Sequence, residues 1–267
     1  MPSDIITVTN LTKKFKNFTA VNNISFSVHE KEVFAFVGPN GAGKSTTIKM
    51  LITLLAPTSG EAIIDNFSIT RQSGEVRRVI GYVPQMISVD GTLTAQENMM
   101  LMAKLYDIPS KDREKRITEV LTFLELQSLR ETMVRNFSGG MIRKLEIGQA
   151  ILHHPPVLFL DEPTSGLDPI ARRNVWKHLF ELRDNFGTTI FFTTHYMEEA
   201  EEVSERVAIM HGGNIAAIGS VAELKEKTKA SHATLEDAFI FFTGATIQEG
   251  GTFRDVKRAR LQDRRLR

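Results

Sequence analysis

Three short stretches carry residue types suited to phosphate chemistry. Gly38, Pro39, Asn40, Gly41, Ala42, Gly43, Lys44 and Ser45 follow the spacing G-x-x-x-x-G-K-[ST]. Glycines let backbone N–H groups curl around phosphate oxygens, and a helix N-terminus behind them favours negative charge. In that arrangement Lys44 reaches the β- and γ-phosphates of a nucleoside triphosphate, and the Ser45 hydroxyl ligates Mg²⁺. The second stretch is Val157-Leu158-Phe159-Leu160-Asp161-Glu162. Its four apolar residues predict a buried strand, and ligands of open α/β sheets bind at the C-terminal ends of such strands. Asp161 suits a hold on Mg²⁺ through water. Glu162 suits the polarising of an attacking water, as general base or orienter. A third stretch, Asn136-Phe137-Ser138-Gly139-Gly140-Met141, puts a hydroxyl and free backbone amides at a helix start, another place for an anion. Taken singly, a glycine turn, a capped core strand and a plain N-cap explain these residues. In this order they point to hydrolysis of a nucleoside triphosphate.

The flanking pattern supplies the elements that would hold them. Val33-Phe34-Ala35-Phe36-Val37 is a continuous apolar run, as expected of a strand buried on both faces. The glycine loop follows it, and a helix is predicted over 44–55. Earlier, 5–8 is β-rich, and Ile24, Phe26 and Val28 alternate with polar neighbours. Further strands are predicted near 62–64, 79–83, 157–160, 188–193 and 207–210. Thr94 and Glu97 form a capping box before a helix through 99–105. Ile117, Val120, Leu121 and Leu124 recur on one helical face, and another apolar helix is predicted over 141–152. The methionines Met99, Met100 and Met102 read as core filler. Asp168 and Pro169 start a helix with an inner stripe of Val175, Leu179, Leu182 and Phe186, ended by Gly187. Ser220 and Glu223 open a last short helix. Alternation of strands and helices argues for a mainly parallel sheet.

Composition narrows the classes further. The chain has 267 residues, 42% of them hydrophobic and 24% charged, ordinary for a globular protein. It contains no cysteine, which excludes disulfides, thiolate catalysis and cysteine metal sites. The formal net charge of +1 conceals an uneven spread. Residues 253–267 hold seven basic and two acidic residues, leaving 26 basic and 30 acidic residues elsewhere. The N-terminus lacks the pattern of a secretory signal. The charge-free run 147–160 is broken by His153, His154, Pro155 and Pro156, and the longest, 207–222, has only 16 residues and contains His211, Gly212, Gly213 and Asn214. A spanning helix needs roughly 20 apolar residues, so none is expected.

Further residues make a family resemblance specific. Ser138-Gly139-Gly140 lies 23 residues before Asp161 and resembles the signature motif of the nucleotide-binding domain of ATP-binding cassette (ABC) transporters. Gln85, after Val83-Pro84, resembles that family's Q-loop glutamine. Ser165-Gly166-Leu167-Asp168 resembles its D-loop, and His195 its switch histidine. Phe15 sits where the family places an aromatic that stacks on adenine. The resemblance runs through Gly244. It implies an α/β, P-loop NTPase (RecA-like) fold: a mainly parallel sheet, an N-terminal antiparallel β part and an inserted α-helical subdomain at about 86–155. The domain would span 1–244, with a basic tail at 245–267.

The resemblance also implies a mechanism. Two such domains, most simply two copies of this chain, would pair head to tail. ATP with Mg²⁺ would lie between the loop from Gly38 to Thr46 on one and Ser138, Gly139 and Gly140 on the other. Gln85 would contact Mg²⁺ or the attacking water, alongside Ser45 and Asp161. His195 would contact the γ-phosphate, and Asp168 would link the paired sites. Separate transmembrane permease subunits would convert closing and opening into transport, with this chain peripheral at the cytoplasmic face of the cell membrane. Met141 stands where the signature commonly continues with Gln, Phe137 where leucine is commoner, and Gln149 where many members carry arginine. The Ser-Gly-Gly-Met form, with Ala233-Thr234-Leu235-Glu236-Asp237-Ala238-Phe239, resembles the drug- and polysaccharide-exporter (daunorubicin-resistance-like) branch. A soluble ABC ATPase acting on nucleic acid or ribosomes is the alternative, supported only by the basic tail. No nucleic-acid partner is expected. A nucleotide-gated module without turnover is a third reading, opposed by the presence of both Glu162 and His195.

Overall fold

Val33–Val37 is buried at every residue, and so are Val157–Asp161 and Thr189–Thr194. Strands of this kind are stable only when both faces are covered. The computed structural model, which describes residues 3–230 and 232–244, shows what covers them. A hairpin of β1 (Asp4–Phe15) and β2 (Phe18–His29) precedes β3 (Val33–Val37), whose end turns through the glycine loop into α1 (Lys44–Leu51). Then come β4 (Ser59–Ile64), β5 (Phe67–Ser68), α2 (Ser73–Val79) and β6 (Ile80–Val83). The helices α3 (Ala95–Leu105), α4 (Ser110–Phe123) and α5 (Gly139–Ile151) follow before β7 (Val157–Asp161). The chain closes with α6 (Pro169–Phe186), β8 (Thr189–Thr194), α7 (Met197–Val203), β9 (Arg206–His211), β10 (Asn214–Ser220), α8 (Val221–Lys227) and α9 (Leu235–Thr243).

The central sheet has the order β10-β9-β3-β8-β7-β6, and β2-β1-β4-β5 form a second, antiparallel sheet. In the central sheet β10 alone pairs antiparallel, with β9, while β3 runs parallel to β8 and β9. Alternate residues of β3 serve opposite layers. Phe34 and Phe36 join the core beneath the antiparallel sheet and α1, whereas Val33, Ala35 and Val37 join the core beneath the helices. The rings of Phe26, Phe34, Phe36 and Phe191 form one aromatic cluster, with centroids of Phe36 and Phe191 5.2 Å apart. Burial of each ring is worth about 2–3 kcal/mol.

Several expectations need adjustment. The helix expected over 44–55 ends at Leu51, and Thr53 takes a left-handed φ of 64° that a helix cannot continue through. The stripe on α6 consists of Val175, Leu179 and Leu182, but Phe186 is 54% exposed and does not belong to it. Met99 is fully buried, and Met100 and Met102 pack partly buried against the same core. The helix opened by Ser220 is not the last, because α9 follows with its own capping box from Thr234 and Asp237. The basic tail at 253–267 lies outside the described residues.

One buried histidine gives the fold a pH signature. His153 stacks on Tyr106 at 3.9 Å, and its Nε2 bonds the Ile80 carbonyl at 3.0 Å. Burial pulls its imidazole down to about 4 from an ordinary value of 6.5. Between those values the unfolded chain binds a proton that the folded chain refuses, so stability is full above pH 6.5 and falls toward pH 4. His153→Phe keeps the ring and removes the proton. Its melting temperature is expected to drop less than the wild type's over that interval. Parallel melting curves across the interval would contradict the assignment.

Candidate functional site

The glycine loop is held where only glycine fits. A Cβ on Gly38 would lie 2.1 Å from the Met210 carbonyl oxygen. Gly43 has a φ of 109°, and its Cβ would lie 2.5 Å from the Ala20 carbonyl oxygen. At Gly38 and Gly43 the loop therefore rests on β9 and β2 with no room for a side chain. α1 begins after Gly43 with no side-chain cap, so its first-turn N–H groups are free to meet an anion.

Lys44 is 5% exposed. Its Nζ donates to the carbonyls of Gly38 at 2.7 Å and Pro39 at 3.2 Å. Burial pushes its ammonium below the usual lysine range, and Glu162 and then Asp161 oppose that shift. The lysine thus lies folded over the loop carbonyls near the Glu162 carboxylate, within a short swing of any phosphate placed there.

Strand register brings the remaining groups to the same edge. Asp161 on β7 sits opposite Thr193 on β8. Asp161 Oδ1 accepts from Ser45 Oγ at 3.0 Å and from Thr193 Oγ1 at 2.6 Å. Glu162 follows with a left-handed φ of 51°, a conformation unusual outside glycine and common at functional sites. Its N–H donates to Thr193 O and Oγ1, each at 3.1 Å. Glu162 Oε2 accepts from Gln85 Nε2 at 3.2 Å. His195 Nδ1 lies 3.0 Å from the same oxygen, outside hydrogen-bond alignment. Lys44 Nζ stands 4.0 Å from Glu162 Oε1. Lys44, Ser45, Gln85, Asp161, Glu162 and His195 therefore meet in one place.

Lys44, Ser45, Gln85 and Glu162 border a cleft of about 320 Å³ whose walls also include Asn40, Gly41, Thr46 and Phe18, while Asp161 and His195 touch the lining residues Ser45 and Glu162. Phe18 was not singled out by the sequence. It pairs across the hairpin with Phe15 and is 63% exposed. Phe15 is 44% exposed and has Lys13 Nζ 5.2 Å from its ring centroid. A roomier groove of about 630 Å³ between α6 and α7 contains none of the phosphate-binding residues.

Divalent ions such as Mg²⁺ take oxygen donors and are often held by one or two protein groups plus substrate phosphates. Ser45 Oγ and the Asp161 carboxylate, 3.0 Å apart, are oxygen donors of that kind and would hold such an ion, with the side-chain carbonyl of Gln85 as a further candidate donor. Among the described residues no cluster of three or more His, Asp or Glu side chains offers a protein-only metal cage.

Two expected elements lie elsewhere. Ser138 caps α5, its Oγ accepting the Met141 N–H at 3.3 Å. Gly140 packs against α6, where a Cβ would come within 2.9 Å of Ala171 Cβ. Asp168 caps α6 through the N–H groups of Ile170 and Ala171, each at 2.9 Å. Neither cap borders the cleft. Gln149 ties α5 to α3 through the Asn98 carbonyl at 3.2 Å, and Met141 packs partly buried on the core.

The ABC transporter family model matches residues 21–165. The chain is 39% identical over 215 residues to the linearmycin resistance ATP-binding protein LnrL of Bacillus subtilis, covering 80% of this chain and 69% of that protein. It is 36% identical over 239 residues to the probable multidrug ABC transporter ATP-binding protein YbhF of Escherichia coli, where 88% of this chain spans 41% of that protein's length. A solved dimeric ATP-binding cassette, in a post-hydrolysis state with ADP and Pi, matches with a TM-score of 0.72 at 29% identity over 80% of this chain and 98% of that one. With its phosphate loop, paired carboxylates and fold in agreement with these likenesses, the chain belongs to the ABC transporter family and carries that family's ATP-hydrolysing domain.

Proposed function

We propose that this chain is the ATPase subunit of an exporter, pairs head to tail with a second copy and drives a separate transmembrane permease. One observation carries the reading. Lys44, Ser45, Gln85 and Glu162 line one cleft, with Asp161 and His195 in contact with Ser45 and Glu162, while Ser138, Gly139 and Gly140 at the start of α5 and the D-loop Asp168 lie off it. Each copy then holds most of a site and lacks its lid. The free helix start of α5 in a second copy supplies an anion-directed hydroxyl and amides on the open side.

In this reading Lys44 leaves the loop carbonyls for the β- and γ-phosphate oxygens, and the amides of residues 41–46 hold the phosphates. Mg²⁺, when bound by Ser45 and Asp161, neutralises phosphate charge. Gln85 and Glu162 hold the attacking water, and Glu162 takes its proton. His195 contacts the γ-phosphate, Phe15 stacks on adenine, and Asp168 joins the two sites. ATP is then a charged bridge between two copies, and its cleavage releases them.

The permease reading draws on the relatives' names and on an exposed apolar surface. Met86 and Ile87, directly after Gln85, are 81% and 68% exposed, and Leu101 and Leu105 of α3 are 48% and 67% exposed. Among the described residues no helix is long and apolar enough to cross a membrane. The subunit would therefore sit at the cytoplasmic face through its permease. We also propose the domain limits 1–244, with the helical insertion at about 86–155.

Affinity purification of the tagged chain from detergent-solubilised native membranes tests this. An integral membrane protein is expected to co-purify in constant ratio. Recovery with ribosomes or nucleic acid, lost at high salt, would instead support the alternative.

A further inference from the structure

Residues 84–88 carry Gln85 from the end of β6 to Glu162, yet bury little of their own. Met86 and Ile87 project into solvent. Polar contacts from α5 pin the segment instead. Arg143, 6% exposed, donates from Nη1 to the Pro84 carbonyl at 2.8 Å and from Nη2 to the Gln85 carbonyl at 3.4 Å. Glu146, 2% exposed and one turn further on, accepts at Oε1 from Ser88 N at 2.6 Å and from Ser88 Oγ at 3.0 Å. Its Oε2 pairs with Arg143 Nη1 at 3.0 Å.

The two charges neutralise each other, and each grips one end of a five-residue span. A buried ion pair rarely stabilises a fold better than apolar side chains of the same size, and its best-attested use is to specify one arrangement. Here the arrangement specified is the position of the Gln85 backbone, and hence of the carboxamide that meets Glu162 at 3.2 Å. The same helix begins at the Ser138 cap, five residues before Arg143. A helix moves as one body, so a displacement at its start reaches the clasp.

We infer that Arg143 and Glu146 form a positioning clasp that sets Gln85 against Glu162 and ties the signature end of α5 to the hydrolytic carboxylate. The inference rests on the hydrolytic roles proposed for Gln85 and Glu162. Neither clasp residue touches the cleft, so both act through the segment they hold.

Steady-state MgATP hydrolysis by the full chain tests it, with binding of a fluorescent ATP analogue and melting curves beside it. Arg143→Met combined with Glu146→Leu replaces the pair by apolar groups, a change that often leaves stability intact. It is expected to lower kcat severalfold and up to about 10-fold, no more than the loss of Gln85 itself, since small misplacements of reacting groups are costly. Analogue affinity is expected to stay within about threefold, because the phosphate loop is untouched. The deciding readout is Gln85→Ala. Alone it should lower kcat about 10-fold, but on the clasp variant it should add less than about twofold, because groups acting as a unit are not additive. Unchanged kcat in the clasp variant, or a Gln85→Ala loss that adds in full, overturns the clasp. Arg143→Lys answers the question if the double variant does not fold. It keeps the ion pair but cannot span both carbonyls, so kcat should fall severalfold at unchanged analogue affinity, and wild-type kcat would overturn the proposal. An inactive wild type would instead overturn the ATPase reading itself.

Discussion

Glu162→Gln is expected to leave ATP binding intact and to lower turnover by about 10²- to 10⁴-fold, the usual contribution of a positioned general base. The side chain keeps its shape, so its place beside Gln85, His195 and Lys44 survives. What disappears is the negative charge that orients water and takes its proton. That charge also stands 4.0 Å from Lys44, with both side chains largely buried in the cleft wall. Its removal relieves repulsion toward an incoming phosphate, so ATP affinity should hold or rise. Equilibrium binding and initial-rate hydrolysis on one preparation check both halves. A variant hydrolysing ATP at the wild-type rate would show that Glu162 is not the group acting on water.

Lys44→Ala has the opposite profile and should weaken nucleotide binding itself. Lys44 is the cation nearest Glu162, and the charges of Glu162 and then Asp161 favour its ammonium. Without it, the triphosphate enters a cleft lined by the uncompensated Glu162 carboxylate. Loss of one partner from a buried, hydrogen-bonded charge pair costs about 2–5 kcal/mol, which converts to at least a 30-fold loss in affinity. Isothermal titration with ATP reads this directly. An affinity equal to that of the wild type would contradict the role given to Lys44. The fold should persist, because the lysine's own bonds are to loop carbonyls at the surface of the cleft.

The residues most legible in the sequence were those whose type is dictated by backbone geometry. Gly38 and Gly43 leave no room for a Cβ, and the apolar runs of β3 and β7 need burial on both faces. Such demands act on neighbours in sequence, so a short pattern shows them. Thr193 was read only as part of a strand. Its hold on Asp161 and on the Glu162 N–H depends on parallel pairing across 32 residues, which no local pattern reports. The clasp is hidden for the same reason, since Arg143 and Pro84 lie 59 residues apart. On α6 the period of the stripe was right through Leu182. It failed at Phe186, where the helix runs out beside Gly187 and the ring reaches solvent. β10 escaped because residues 214–220 alternate weakly and are only partly covered. Ser138 and Asp168 could be placed only by resemblance, for each is a helix cap of a common kind in a single copy.

A cap that borders no cleft in one chain acquires an anion to bind only when a second chain faces the first. Glu162→Gln, unable to spend its ATP, should hold that state long enough to be weighed. Light scattering on the purified variant, with and without MgATP, makes the test. The account predicts the 30.0 kDa mass of one chain without nucleotide and twice that mass with it. A mass that stays at one chain under saturating ATP would contradict the shared site.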